Sequence, residues 1–186
     1  MITLESILTQ FLESYMQDCY FCMPAVVVGV QEIEQMKIDV KPLPKRKYKD
    51  GSSVEFPVLQ SVPVVMPNTK TSSISLPVNQ GDNVLLVFSQ REIDTFKSGA
   101  TLPYDVDVER WMDINDAVAI IGLNPFNRSP NLPTARTHPY SPKHLTITHN
   151  IGKPTESEIR FDESGGVEVS ALNVKITSPT IELVTQ

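Results

Sequence analysis

The sequence predicts a mainly β protein: an N-terminal helix, a small closed Greek-key barrel, a proline-rich linker, and a C-terminal stub of intertwined three-chain β-prism or β-helix. Three observations predict it. Between Pro24 and Leu123 six or so short apolar or alternating runs are separated by turn residues, the pattern of an all-β barrel. Pro125, Pro130, Pro133, Pro139 and Pro142 then fall within eighteen residues. Finally, one short phrase occurs three times at a period of seven: Val167-Glu-Val169-Ser-Ala171, Val174-Lys-Ile176-Thr-Ser178 and Ile181-Glu-Leu183-Val-Thr185.

The first segment, residues 1–23, reads as an amphipathic helix over its first nineteen residues. Leu4, Ile7, Leu8, Phe11, Leu12, Tyr15, Met16 and Cys19 recur at spacings of three and four, while Glu5, Gln10, Glu13, Gln17 and Asp18 take the other face. Burying each large apolar side chain is worth roughly 1.5–3 kcal/mol, so this stripe needs a surface to cover, either on another subunit or on its own barrel.

Residues 24–124 read as the barrel. Ala25 to Ile33 is strand-like, and Met36-Lys-Ile38-Asp-Val40-Lys alternates before Pro42 and Pro44 break it. A loop with Lys45, Arg46, Lys47, Lys49, Asp50 and Gly51 follows, then strand-like runs at Val54–Leu59, Val62–Met66, Ser73–Leu76, Val84–Phe88 and Ala117–Leu123. Asn79-Gln-Gly81-Asp82 supplies a turn between them. That strand number suits a closed barrel of the OB type. Asp94–Gly99 and Asp113–Asp116 interrupt it as short helical or irregular connections.

Residues 125–143 form the linker, which its prolines favour as an extended polyproline-like spacer. In residues 144–186, Leu145-Thr-Ile147-Thr and Ile159-Arg-Phe161 begin an alternating pattern, and Gly165-Gly166 is a turn before the seven-residue phrases. Period-two alternation describes strands buried on one face only. With no helix pattern nearby to cover that face, the apolar set Leu145, Ile147, Ile159, Phe161, Val167, Val169, Val174, Ile176, Ile181 and Leu183 is expected to form the interior of a trimer.

Composition narrows the function classes. The 186-residue chain, 40% apolar, accommodates one ordinary domain with appendages. It has no apolar run long enough to span a bilayer, and its opening, Met1-Ile-Thr-Leu-Glu5, lacks the basic cluster of a signal peptide. A net charge of −6 per chain, tripled in a trimer, disfavours nucleic acid and anionic lipid.

Candidate chemical sites fare poorly. Cys19-x-x-Cys22 has no second pair to complete a zinc site and ends a helix rather than starting one, so the pair is expected to be reduced thiols buried at the helix terminus near the trimer axis. His138, His144 and His149, at spacings of six and five, are read as surface or interface polar groups. The acidic cluster Asp105, Asp107, Glu109, Asp113 and Asp116 is read as a solvated loop, since it lies in one short stretch instead of across a cleft. Hydrolase, zinc-protease and phosphate-loop motifs do not occur. The expectation is a chain that is not an enzyme, with no catalytic residues, no metal and no cofactor.

The order of parts carries a resemblance. A helix ends at Met23-Pro24, a strand pair at Val40-Lys-Pro42, and there follow Val62-Pro-Val-Val-Met66-Pro67, Leu76-Pro-Val-Asn-Gln-Gly81-Asp82, Val87-Phe-Ser-Gln-Arg-Glu-Ile-Asp94 and Asp113-Ile-Asn-Asp-Ala117-Val-Ala-Ile120 ending in Gly122-Leu. As an ordered set these resemble the central membrane-puncturing spike proteins of contractile-tailed bacteriophages, in the short form without a lysozyme domain. The resemblance covers roughly residues 1–125 by motif and the rest by architecture.

It implies a homotrimeric virion protein of the tail baseplate, assembled in the host cytoplasm. Its barrels would sit beneath the tail hub, and its β-helical needle would be driven through the host outer membrane on contraction. Leu4, Ile7, Leu8, Phe11, Leu12 and Tyr15 become candidates for docking on the hub. Needles of this family commonly end in a His-x-His apex that binds iron, but this sequence has no His after His149. An apical iron would therefore belong to a separate tip protein. Such a tip is expected, because strands at about 4.8 Å each give only about 20–30 Å of prism, barely a hydrocarbon core of about 30 Å. Two other readings compete: an OB-fold protein binding single-stranded nucleic acid through Lys45-Arg-Lys-Tyr48-Lys49, and a hub adaptor or plug that never meets a membrane.

Overall fold

A computed structural model describes residues 3–106 and 108–182, and divides the chain after Asn124 into two compact units. The first begins with α1 (Leu4–Gln17), whose start is fixed by a reciprocal cap between Thr3 and Ser6. Its strands are β1 (Cys22–Gly29), β2 (Lys37–Pro42), β3 (Lys45–Lys47), β4 (Ser53–Glu55), β5 (Leu59–Val65), β6 (Asn83–Phe88) and β7 (Ala117–Ile121), with the short helix α2 (Asp94–Lys97) between the last two.

Five of these strands close into a barrel in the order β1-β2-β5-β7-β6, antiparallel except for the parallel pair β5–β7. The closed barrel expected from the run spacing is thus present, built from five strands. Alternation places Ala25 and Val27, Ile38 and Val40, Val62 and Val64, Val84, Leu86 and Phe88, and Ala117 and Ala119 in one core. A barrel this small must be filled by side chains, and the alanines of β1 and β7 sit beside the larger residues that fill it.

Four sequence expectations change. The Ala25–Ile33 run stops at Gly29, where the β1–β2 register shifts and a Cβ would crowd the side-chain oxygens of Asp39 and Gln31; Ile33–Gln35 is a 3-10 turn. The Val54–Leu59 run splits: Ser53–Glu55 pairs with Lys45–Lys47 in a separate ribbon, while Leu59 opens β5. Pro57 in between has no N–H to give a ladder. Ser73–Leu76 forms no strand and makes only the Asn68–Ser73 bridge. Residues 125–143 are no extended spacer but a series of turns, including a 3-10 turn at Phe126–Arg128.

The second unit is built on a three-stranded antiparallel meander of β8 (Leu145–His149), β9 (Ser157–Phe161) and β10 (Val167–Ser170), in the order β10-β9-β8. The expected C-terminal trimeric winding is not shown in the single chain: residues 174–182 carry no strand. Among the described residues no helix is long and apolar enough to cross a membrane.

Candidate functional site

The meander has two unlike faces. Register places Leu145, Phe161 and Val167 in one row and Ile147, Ile159 and Val169 in the next, and all six are exposed. Six of the residues named above as trimer interior therefore lie together as an apolar patch two rows deep, uncovered within the chain. Of the other four, Val174, Ile176 and Ile181 are exposed on irregular backbone, and Leu183 lies outside the described residues.

Part of the opposite face is covered by a charged network. Arg136, supplied by the proline-rich segment, donates to Thr148 and Glu158, the latter at 2.9 Å. Glu158 also accepts from the Thr148 hydroxyl at 2.8 Å and from Arg160 at 2.7 Å. Burial would raise the Glu158 carboxyl, but the Thr148 hydroxyl and the two guanidinium groups outweigh it and hold it below the usual range. Arg136 thus covers the Thr148–Glu158 part of this face, while the apolar side lies open.

Glu156 anchors the same segment by accepting backbone N–H bonds from Gly152, Thr137 and His138. The Gly152 bond, with the other two and against some desolvation, lowers its pKa to about 2. A carboxyl whose folded pKa is depressed stabilises the fold above its unfolded value and loses that contribution as pH falls through the folded one. The second unit is therefore expected to weaken progressively between pH 4.5 and about 2. Glu156→Gln should flatten this loss while lowering stability at neutral pH. Melting curves across that range check it, and an equally steep acid loss in the variant would count against the assignment.

The remaining candidates are placed as follows. In α1 Leu4, Ile7, Leu8, Phe11, Leu12, Tyr15 and Met16 are all exposed, so the chain does not cover its own helix stripe. The basic run is largely engaged inside the chain: Lys41 and Lys45 pair with Glu55, Arg46 with Asp18, and Lys49 with Glu13. Such pairing leaves little free charge for phosphate. In the single chain Cys19 is half-buried and Cys22 exposed. Cys22 occupies an outward position at the start of β1, where alternation turns it away from the core.

His138 lies 3.5 Å from the Ser170 hydroxyl, and the buried Nδ1 of His144 has no partner among the described residues. No cluster of metal-ligating side chains occurs among the described residues. The acidic-loop expectation needs correction at Asp116, which is fully buried and bound by the Arg110 Nη2 and Nε at 2.8 and 3.0 Å. Asp107 lies outside the described residues. Nothing in the spacing of Arg110 and Asp116 announces this pair, nor the Arg136–Glu158 pair 22 positions apart.

Comparison with known proteins adds one finding. Residues 23–122, the span from β1 to the end of the barrel, match the family model described as the phage protein Gp138 N-terminal domain. No curated protein matches the chain significantly.

Proposed function

The chain belongs to the family of the phage protein Gp138 N-terminal domain, and from that premise we propose that it is a structural part of the phage tail baseplate. In this reading it is a homotrimeric central spike that joins the tail hub to the needle piercing the host envelope. One observation carries the proposal: six exposed apolar side chains aligned in two rows on one face of a sheet. Three such sheets arranged as the walls of a triangular prism would bury these rows against one another, which a lone chain has no means of doing. The seven-residue phrases at Val174 and Ile181 would then continue the winding with strands supplied by sister copies. Leu4 to Tyr15 of α1 would face hub or sister subunits, and a separate protein would complete the tip.

The proposal involves no catalysis, metal or cofactor, and no nucleic acid. The internal pairing of the Lys45–Lys49 run favours it over a single-strand-binding barrel. Light scattering on the full chain is expected to give three times 20.7 kDa, with no measurable binding to single-stranded DNA at low salt. A monomer at every concentration would sink the spike reading, and tight salt-sensitive DNA binding would favour its rival. A map of the intact tail tip then separates a spike from a plug that stops at the hub.

A further inference from the structure

Two rows on the outside of the barrel are apolar, one of them across four of its five strands. Register aligns Pro24, Leu85, Ile120 and Val65 in a row across β1, β6, β7 and β5, with Cys22, Val87 and Val118 in the row beside it. Each alternates with a core residue and so points outward, and no charged side chain stands among them. The fifth strand, β2, behaves as an ordinary outer wall, with Lys37, Asp39 and Lys41 facing outward. A solvated antiparallel sheet reads apolar-in and polar-out. Here the polar side is missing where four strands meet.

We infer that α1 of one copy lies across this wall on the barrel of the next copy, an arrangement that rests on the trimeric reading above. Rings with three-fold symmetry are built from heterologous contacts, in which one patch meets a different patch on the neighbour. The first unit carries two such patches, the wall and the helix stripe. They match in size. Leu4 to Tyr15 spans about 16 Å at 1.5 Å per residue, and four strands about 4.8 Å apart span about 14 Å between their outer members.

The chain does not bring its own helix to its own wall. Arg46 pairs with Asp18 at the helix end, and Lys49 with Glu13. The Tyr20 N–H is bonded to the Met112 carbonyl at 2.8 Å, and its ring packs on Phe56 and Phe88. These contacts fix where the helix leaves the barrel and keep its apolar side outward.

The test uses the full chain with Cys19→Ser and Cys22→Ser, to which Phe11→Cys and Ile120→Cys are added. A short bismaleimide should join these positions between chains at least about tenfold faster than a control pair of Phe11→Cys with Lys41→Cys, since effective concentration falls steeply with distance. Denaturing gels distinguish between-chain from within-chain products, and light scattering reports the trimer on the same sample. A trimer in which the pair reacts no faster than the control overturns the helix-on-wall contact and leaves the spike reading standing. Cross-links confined to single chains also overturn it. A monomer overturns both. A second measurement avoids the introduced thiols: Phe11→Ala and Ile120→Ala should lower the trimer's melting temperature singly, and together by less than the sum, whereas additive losses count against contact.

Discussion

Ile147→Asp is expected to reduce the particle in solution from three chains to one while the barrel stays folded. Ile147 sits on the edge strand β8 opposite Ile159, in the row that ends at Val169, and it is exposed in the single chain. A carboxylate there costs the lone chain almost nothing, because surface substitutions usually change stability by no more than about 0.5 kcal/mol. In a closed prism the same change puts three carboxylates near one axis, out of water and without partners. Each uncompensated buried charge costs about 3–5 kcal/mol, so the assembled state loses more than an interface of three small sheets supplies. The loss should ease in acid, since burial and like charges both raise the pKa of the new carboxyl. Light scattering from pH 7 down to pH 4, with circular dichroism to follow the barrel, reads both effects. A variant still trimeric at neutral pH would place the apolar rows somewhere other than an interior.

The contrast between this face and the charged one shows what a sequence can carry. Val167, Val169, Ile147 and Ile159 announce themselves because alternation is a local signal and survives whatever the strand pairs with. The same holds for Ala25, Val27, Val84 and Leu86, whose alternation places the barrel core. Strand ends were less legible. Gly29 ends its run where the register with β2 shifts opposite Asp39, ten positions away and across a strand pair, and Pro57 splits another by withholding a donor that only the pairing pattern makes necessary. The stretch from Val174 to Ile181 has the pattern without the strand, because alternation states which face wants burial and not which chain supplies the neighbour.

Ion pairs were the least legible. Asp116 looked like one more acid in a loop of acids, and Arg136 like one more residue among prolines. Their importance comes from burial, which charge alone argues against. Seen in place, Arg136 and Glu158 are almost wholly enclosed, and their pairing holds the segment around Arg136 against the sheet. The candidate site was therefore legible on its apolar side and hidden on the side that leaves the apolar side free.

Arg110→Met is expected to cost the barrel about 3–5 kcal/mol, the effect of leaving one member of a buried ion pair without the other. The guanidinium grips both oxygens of Asp116 and also reaches Asp94 at 2.6 Å. These two bonds, Asp116 first, raise the Arg110 pKa further above its already high value. Asp116 has no access to water; it also accepts the Ile93 N–H at 3.2 Å, and its own carbonyl accepts from Ser89. It thereby ties the β6–α2 connection to the start of β7, so that the carboxylate cannot swing outward when Arg110 is lost.

For a domain of this size such a cost lowers the melting temperature by about 15–30 °C. Arg110→Lys should recover only part of the loss, because an ammonium lacks the planar fork that meets two carboxylate oxygens and Asp94 at once. Combining Arg110→Met with Asp116→Asn should recover more. The amide oxygen still accepts from Ile93, and no charge is left in the core. Thermal melts of the three variants settle the order. If Arg110→Met alone melted within a few degrees of the parent, the pair would be incidental to the barrel, and the connection it anchors would need another explanation.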